Sequence, residues 1–177
     1  MLHSRLFTED EKYRSMEFTT CKEDHPLLVL LCANNPDNLL EAARKVVPYC
    51  DYVDINFGCP QRIAKRGNYG AFLMDNLSLV KSLVEKLANN LTVPMLEDAG
   101  CSLLAVHGRT MDEKDGKKFR ANWEAIKAVR NVVRIPVLAN GNIRHIDDVY
   151  SCLEATGADG VLSADPLLEN PALFAGY

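Results

Sequence analysis

A cysteine directly after an apolar, strand-like run is the most chemically pointed feature of this chain. The run ends in Asp54-Ile55-Asn56-Phe57-Gly58-Cys59-Pro60. In parallel α/β folds the C-terminal ends of strands face the active site. A thiol there can act as proton donor or nucleophile, with Gly58 permitting a tight turn and Pro60 stiffening the exit. Taken by itself, the segment also fits a buried thiol beside a turn.

Three further segments have chemical potential. Gln61 to Met74 reads as a loop carrying Arg62, Lys65 and Arg66 with Tyr69, Gly67 and Gly70. Cations can meet phosphates and a tyrosine can stack on a base, although a solvated loop has the same composition. Val106-His107-Gly108-Arg109-Thr110 ends another strand with an imidazole and a guanidinium in loop space. Finally, Ala139-Asn140-Gly141-Asn142-Ile143 and Gly160-Val161-Leu162-Ser163-Ala164-Asp165 close two successive strands. Barrels often hold phosphate with backbone N–H groups of the loops after their last two strands. The Asn-Gly-Asn turn permits the backbone that such a cradle needs, so a phosphate-bearing cofactor is expected there.

The elements that must position these residues alternate. Strand-like runs occur at 27–33, 52–57, 103–107, 136–140 and 160–163, and helical patterns at 37–47, 76–88, 123–130 and 146–155. One short helix is expected near 9–16. Strands apolar on both faces and separated by helices imply a parallel sheet covered by helices. Two echoes refine this. Leu96-Glu97-Asp98-Ala99-Gly100 and Leu153-Glu154-Ala155-Thr156-Gly157 each read as a helix end with a glycine cap, followed by a buried strand. Repeated βα units, with no GxGxxG after the first strand, favour a TIM (β/α)8-type barrel over a dinucleotide-binding sheet.

That barrel reads as incomplete. Leu91-Thr92-Val93-Pro94 should launch a strand, as Val133-Arg134-Ile135-Pro136 does, yet a helix end follows at once. A strand, its loop and the start of a helix are missing at the Pro94–Met95 junction. About five strands are visible, where a closed barrel needs eight in about 250 residues. No linker divides the 177 residues, so a single domain is expected.

Composition narrows the classes further. With 47% hydrophobic and 25% charged residues, the chain is ordinary globular protein. Neither a membrane-length apolar run nor a signal peptide is present, which points to the cytosol or nucleus. The six cysteines form no CxxC pair and no Cys–His spacing, so no metal is expected, and all but Cys59 read as small buried residues. A net charge of −4 confines any nucleic-acid contact to a local patch or to a region outside this chain.

The cysteine loop, 54–61, with the Ala-Lys-Arg-Gly-Asn-Tyr-Gly-Ala-Phe-Leu run at 64–73, resembles the tRNA-dihydrouridine synthase family. It is most similar to the eukaryotic type 1 branch. Val-His-Gly-Arg-Thr at 106–110, Ala-Asn-Gly-Asn-Ile at 139–143 and Asn-Pro-Ala-Leu-Phe at 170–174 match in the same order. The resemblance implies an FMN-containing barrel that reduces uridine to 5,6-dihydrouridine in the tRNA D-loop, at positions 16/17, with NADPH as reductant. It implies Cys59 as general acid, and Asn56, His107, Asn140, Gly141, Asn142, Ser163 and Ala164 as cofactor contacts. Lys65 and Arg66 are implied tRNA phosphate contacts, and a monomer is expected. The chain also departs from the pattern. The family's first strand would precede Met1, with only the end of the second surviving at Met1-Leu2. A Lys-x-Arg segment belongs where the Pro94–Met95 junction lies. Leu30 stands where a glutamine meets the flavin ring, Asp165-Pro166 follows Ala164 where bacterial relatives place Gly-Arg, and a helical tRNA-binding domain would follow Tyr177. Three readings therefore stand: the tRNA-modifying enzyme, a non-catalytic remnant with at most weak RNA binding, and a flavin barrel acting on free pyrimidines. The cysteine loop argues against the last.

Overall fold

The computed structural model describes residues 1–91, 103–113 and 118–175. The Pro94–Met95 junction, the helix end at 96–100 and Cys101 lie outside the described residues. The chain divides into two compact units, 1–101 and 102–177.

In the first unit β1 (Leu2–His3), β2 (Leu28–Cys32) and β3 (Tyr52–Ile55) form a parallel sheet in that order. Leu2 pairs with Leu31, and Leu30 pairs with Asp54. Strand alternation sorts the side chains. Val29, Leu31 and Val53 turn to the core, where they meet α3 (Pro36–Val46) and α5 (Leu77–Ala88). Helix α3 supplies Leu39, Leu40, Ala43 and Val46, a stripe at three- and four-residue spacing, all buried. Its start is set by Pro36 at the first turn and by the Asn35 carboxamide, which accepts from the N–H groups of Asp37 at 2.9 Å and Asn38 at 3.0 Å. Asn76 caps α5 in the same way through Leu79 N–H. Leu30, Cys32 and Asp54 occupy the opposite face of the sheet.

The amino-terminal segment differs from expectation. In place of one helix near 9–16 there are two, α1 (Ser4–Glu9) and α2 (Glu11–Glu17). Asp10 separates them, because its carboxylate accepts from Tyr13 N–H and restarts the helix. The 61–74 segment, expected as a loop, contains α4 (Arg62–Gly67) and a short 3₁₀ turn at Gly70–Leu73.

In the second unit β4 (Leu104–His107), β5 (Val137–Asn140) and β6 (Gly160–Leu162) form a second parallel sheet in that order. Its core gathers Ile126 of α6 (Trp123–Val132) and Cys152 of α7 (Ile146–Thr156) against Val137 and Ala139. Helix α7 ends at Gly157, whose φ of +67° supplies the left-handed cap. Asp159 ties the strand starts together by accepting from Val137 N–H at 2.9 Å and from Arg130 at 3.2 Å. A last short helix, α8 (Asp165–Glu169), follows β6. The chain is thus α/β with parallel sheets. Cys32, Cys50 and Cys152 are buried as expected, whereas Cys21 is exposed on the polar 18–26 segment. Among the described residues no helix is long and apolar enough to cross a membrane, and no group of His, Cys, Asp or Glu is placed to hold a metal ion.

Candidate functional site

The first cluster is built on the end of β3. The chain leaves the sheet at Asn56, whose backbone N–H still donates to Leu31 at 2.8 Å. The Asn56 carboxamide oxygen then accepts from Gly58 N–H at 3.0 Å and from Cys59 N–H at 2.8 Å. This turn fixes the cysteine backbone at the C-terminal end of the strand. Ala71 N–H donates to the Cys59 carbonyl at 3.1 Å, so the 3₁₀ turn folds back beneath the loop. That approach requires Gly70. Its φ is +65°, and a Cβ there would lie 2.7 Å from the Cys59 carbonyl oxygen.

Cys59 is half-buried and packs against Cys32, Ala64 and Tyr69. Burial pushes the Cys32 thiol up to about 11, and the neighbouring Cys59 pushes in the same direction. Tyr69 is 4% exposed and sits edge-on to His3, with ring centroids 5.3 Å apart. Its phenol is pushed up by burial first and by Cys32 and Cys59 next. Tyr69 is therefore a packing element under the cysteine, not a surface platform for a base. Burial also raises the Asp54 carboxyl on the face that Leu30 shares. Lys65 and Arg66 are exposed on α4, next along the chain.

The second cluster occupies the C-terminal ends of β4, β5 and β6. A cleft of about 640 Å³ is lined by His107 and Arg109, the 140–145 turn, the 162–166 turn and Glu169–Asn170. Ligand pockets span about 300–1,000 Å³. His107, Asn140, Gly141, Asn142, Ser163 and Ala164 thus come together in one place. Gly141 and Asn142 both have positive φ, +115° and +65°. Among the described residues, the N–H groups of Gly141, Asn142 and Ile143 have no acceptor. Consecutive free N–H groups in such a turn form an anion-binding nest. The next two N–H groups, of Arg144 and His145, are already taken by Asp148 at 2.8 and 3.0 Å, so the helix α7 start is closed by its own carboxylate. Ser163 donates its hydroxyl to Ile143 at 2.9 Å, which ties the two turns together. Its side-chain proton is spent on that tie.

Sequence reasoning missed the frame around this nest. Arg109 donates to Asn142 Oδ1 at 2.7 Å and to the Phe119 carbonyl at 2.9 Å. Trp123 Nε1 donates to the Gly141 carbonyl at 3.1 Å. The signal available was the residue types alone, an arginine at a strand end and a tryptophan at a helix start. Arg109 Nη1 also lies 3.3 Å from His107 Nε2. A guanidinium only donates, so Nε2 accepts and the ring proton sits on Nδ1. His107 lines the cleft, and desolvation lowers its pKa. Arg109 lowers it further, while the hydrogen bond to Asn140 opposes both.

A pH titration follows from this. The folded protein disfavours the imidazolium. The His107 contribution to stability is therefore complete above the unfolded histidine's pKa of about 6.5 and is lost as pH falls through that value toward and past the folded one. Imidazole resonances of His107 followed by NMR are expected to titrate with a midpoint below about 6.5, and Arg109→Gln to move it upward. A midpoint above that of a free histidine would contradict the assigned contacts.

Both clusters sit at the C-terminal ends of parallel strands, each followed by helix. This places the chain among parallel α/β proteins that carry their chemistry on βα loops. Comparison with known proteins defines it further. A family model described as dihydrouridine synthase (Dus) matches residues 1–96 and 92–177, and the chain belongs to that family. A tRNA-dihydrouridine(16/17) synthase [NAD(P)(+)]-like protein of Rattus norvegicus is 46% identical over 197 residues, covering 99% of this chain and 45% of the relative. The tRNA-dihydrouridine(16/17) synthase [NAD(P)(+)] of Schizosaccharomyces pombe is 44% identical over 98% of this chain and 49% of its own length. A human tRNA-dihydrouridine(20a/20b) synthase [NAD(P)+]-like protein is 37% identical over 100% and 62%. The chain spans about half the length of the (16/17) relatives. The alignment spans 197 positions against the chain's 177 residues, so about twenty aligned positions of the relative have no counterpart here. The two family matches meet at 92–96.

Proposed function

We propose that this chain is the flavin-binding part of an enzyme that reduces uridine to 5,6-dihydrouridine at positions 16/17 of the tRNA D-loop. In this reading the six strands belong to one (β/α)8-type barrel domain, incomplete where the two family matches meet. The observation that carries it is the Asn56 turn. Two main-chain hydrogen bonds to one carboxamide oxygen hold Cys59 at a strand's C-terminal end. This is where a barrel presents its catalytic groups.

The second cleft fits the phosphate of FMN. Three successive backbone N–H groups without acceptors among the described residues lie in a turn with two positive φ values, and His107 and Arg109 line the cleft beside it. Gly141, Asn142 and Ile143 would hold the phosphate, with the 163–164 backbone opposite. Asn140 orients His107, and Asn56 lies where family members contact flavin or uracil. When bound and reduced by NADPH, FMN would supply the hydride for C6 of the pyrimidine. The residue that would give a proton to C5 is Cys59, its thiol being restored from solvent before the next cycle. Proton donation of this kind contributes about 10²–10⁴-fold. The target uracil must leave its stack to reach the thiol.

Lys65 and Arg66, exposed on the helix that follows the cysteine loop, are the proposed contacts to tRNA phosphates. The double variant Lys65→Ala/Arg66→Ala is expected to weaken tRNA binding and to flatten the dependence of log K on log salt by about 1 per charge removed. An unchanged slope in a filter-binding series would remove these residues from the interface.

A second reading has its own support. The roughly twenty positions of the rat relative without a counterpart here and the apolar Leu30 on the Asp54 face favour a catalytically inactive remnant with at most weak RNA binding. The deciding experiment is the visible spectrum of the purified protein with a dihydrouridine assay on unmodified tRNA. Bound yellow flavin with dihydrouridine formed supports the enzyme. A folded, colourless and inactive protein supports the second reading.

A further inference from the structure

The nest at 141–143 depends on a residue in an unfavourable conformation. Asn142 is a non-glycine residue at φ +65°. Asparagine tolerates that region, but it needs something to select it over the ordinary one. The structure supplies two donors to its side chain. Arg109 Nη2 donates to Asn142 Oδ1 at 2.7 Å and Ala121 N–H donates to the same oxygen at 2.5 Å. Arg109 is itself fixed, with Nε on the Phe119 carbonyl at 2.9 Å and Nη1 against His107 Nε2 at 3.3 Å. All three nitrogens of the guanidinium have protein partners. The rigid planar fork can make these bonds at once, which a lysine ammonium cannot.

We infer that Arg109 is a positioning residue for anion binding: by holding the Asn142 side chain it sets the 141–143 backbone N–H groups as a phosphate nest. This deepens the reading proposed above and rests on it for the identity of the anion as the flavin phosphate. Arg109 acts through Asn142, and its charge is secondary. The conformation is set by bond directions, so charge alone cannot replace it. Glycine at 142 would take φ +65° without any side-chain support, and the need for Arg109 would vanish with it.

The test uses the full chain, with affinities for FMN and for riboflavin read by flavin fluorescence and inorganic phosphate followed on the 141–143 amides by NMR. Arg109→Gln and Arg109→Lys are both expected to lose about 10-fold to 100-fold in FMN affinity, the range for a charge-assisted hydrogen bond. Riboflavin, which has no phosphate, should bind as before. In the Asn142→Gly background the Arg109 effect should shrink to near nothing, as a cycle of coupled residues requires. An Arg109→Lys protein with full FMN affinity, or an Arg109→Gln loss undiminished by Asn142→Gly, would overturn the inference in favour of a direct charge contact, and the flavin reading would stand. If the wild-type chain binds inorganic phosphate at 141–143 but not FMN, and the Arg109 variants lose that phosphate, the inference stands and the flavin reading falls. A wild-type chain that binds neither overturns both.

Discussion

Cys59→Ala is expected to lower dihydrouridine formation by about 10²–10⁴-fold, the contribution of a positioned proton donor, with the fold and flavin binding retained. The loop geometry supports the separation. Both hydrogen bonds that tie position 59 into the loop use its main chain: its N–H to Asn56, and its carbonyl from Ala71. Alanine keeps both. The sulfur contributes packing against Cys32, Ala64 and Tyr69, so its removal opens a small gap and not a collapse. Cys32 cannot take over the proton donation, because burial pushes its thiol up to about 11, too weak an acid near neutral pH. Cys59→Ser keeps a hydrogen-bonding atom but offers a much weaker acid, and should resemble alanine. The measurement is dihydrouridine formed per bound flavin on unmodified tRNA, alongside the thermal midpoint. Undiminished turnover in Cys59→Ala would strip the residue of its role. Parallel loss of flavin and of folding would make it a structural residue.

The parts of the fold that were legible share one cause. Strands β2 to β6 are short apolar runs between helices with clear periodicity, and α3, α5, α6 and α7 carry Asn35, Asn76, Asn122 and Asp148 as starts. Local chemistry fixes such elements. The 61–74 segment reads as a loop from the sequence, with cations, a tyrosine and two glycines in close succession. In the structure only Ala64 of α4 is buried, so the helix has no stripe to advertise, although Asn68 and Gly70 at positive φ mark where it stops. Asp10 hid the break between α1 and α2 for a similar reason, since a capping carboxylate inside an acidic run looks like one exposed helix face.

For the candidate site, the residue types and strand ends were visible from the sequence and their mutual geometry was not. Tyr69 in a basic loop suggests a stacking surface, yet it is buried because Gly67 leaves room for its ring and His3 packs against it. The Arg109–Asn142 bond joins residues 33 apart, and no local pattern announces it. Long-range pairing of polar side chains depends on register and turn geometry, which only the folded chain defines.

Gly141→Ala carries the other large effect, and its origin is steric. The residue has φ +115°, a region available in practice to glycine alone, at a cost of about 1–3 kcal/mol for any other residue. A Cβ there would also sit 2.7 Å from the Ala121 side chain and 3.4 Å from His107. The Ala121 contact cannot be relieved cheaply, since Ala121 N–H is bonded to Asn142 and Asn122 N–H to the Gly108 carbonyl. Overpacking of this kind adds about 1–3 kcal/mol. Rotating the 141–142 peptide to relieve the contact would redirect the N–H groups of the nest and break the Trp123 bond to the Gly141 carbonyl. Gly141→Ala should therefore lose stability in the second unit and lose FMN affinity with it, while riboflavin affinity falls only with the folded fraction. Gly157→Ala is the control, because φ there is +67° but a Cβ would meet nothing within 4 Å. It should cost backbone strain without touching the nest. If chemical denaturation and FMN titration gave the two variants the same profile, backbone strain alone would account for both, and the crowding at Ala121 would have no part in shaping the cradle.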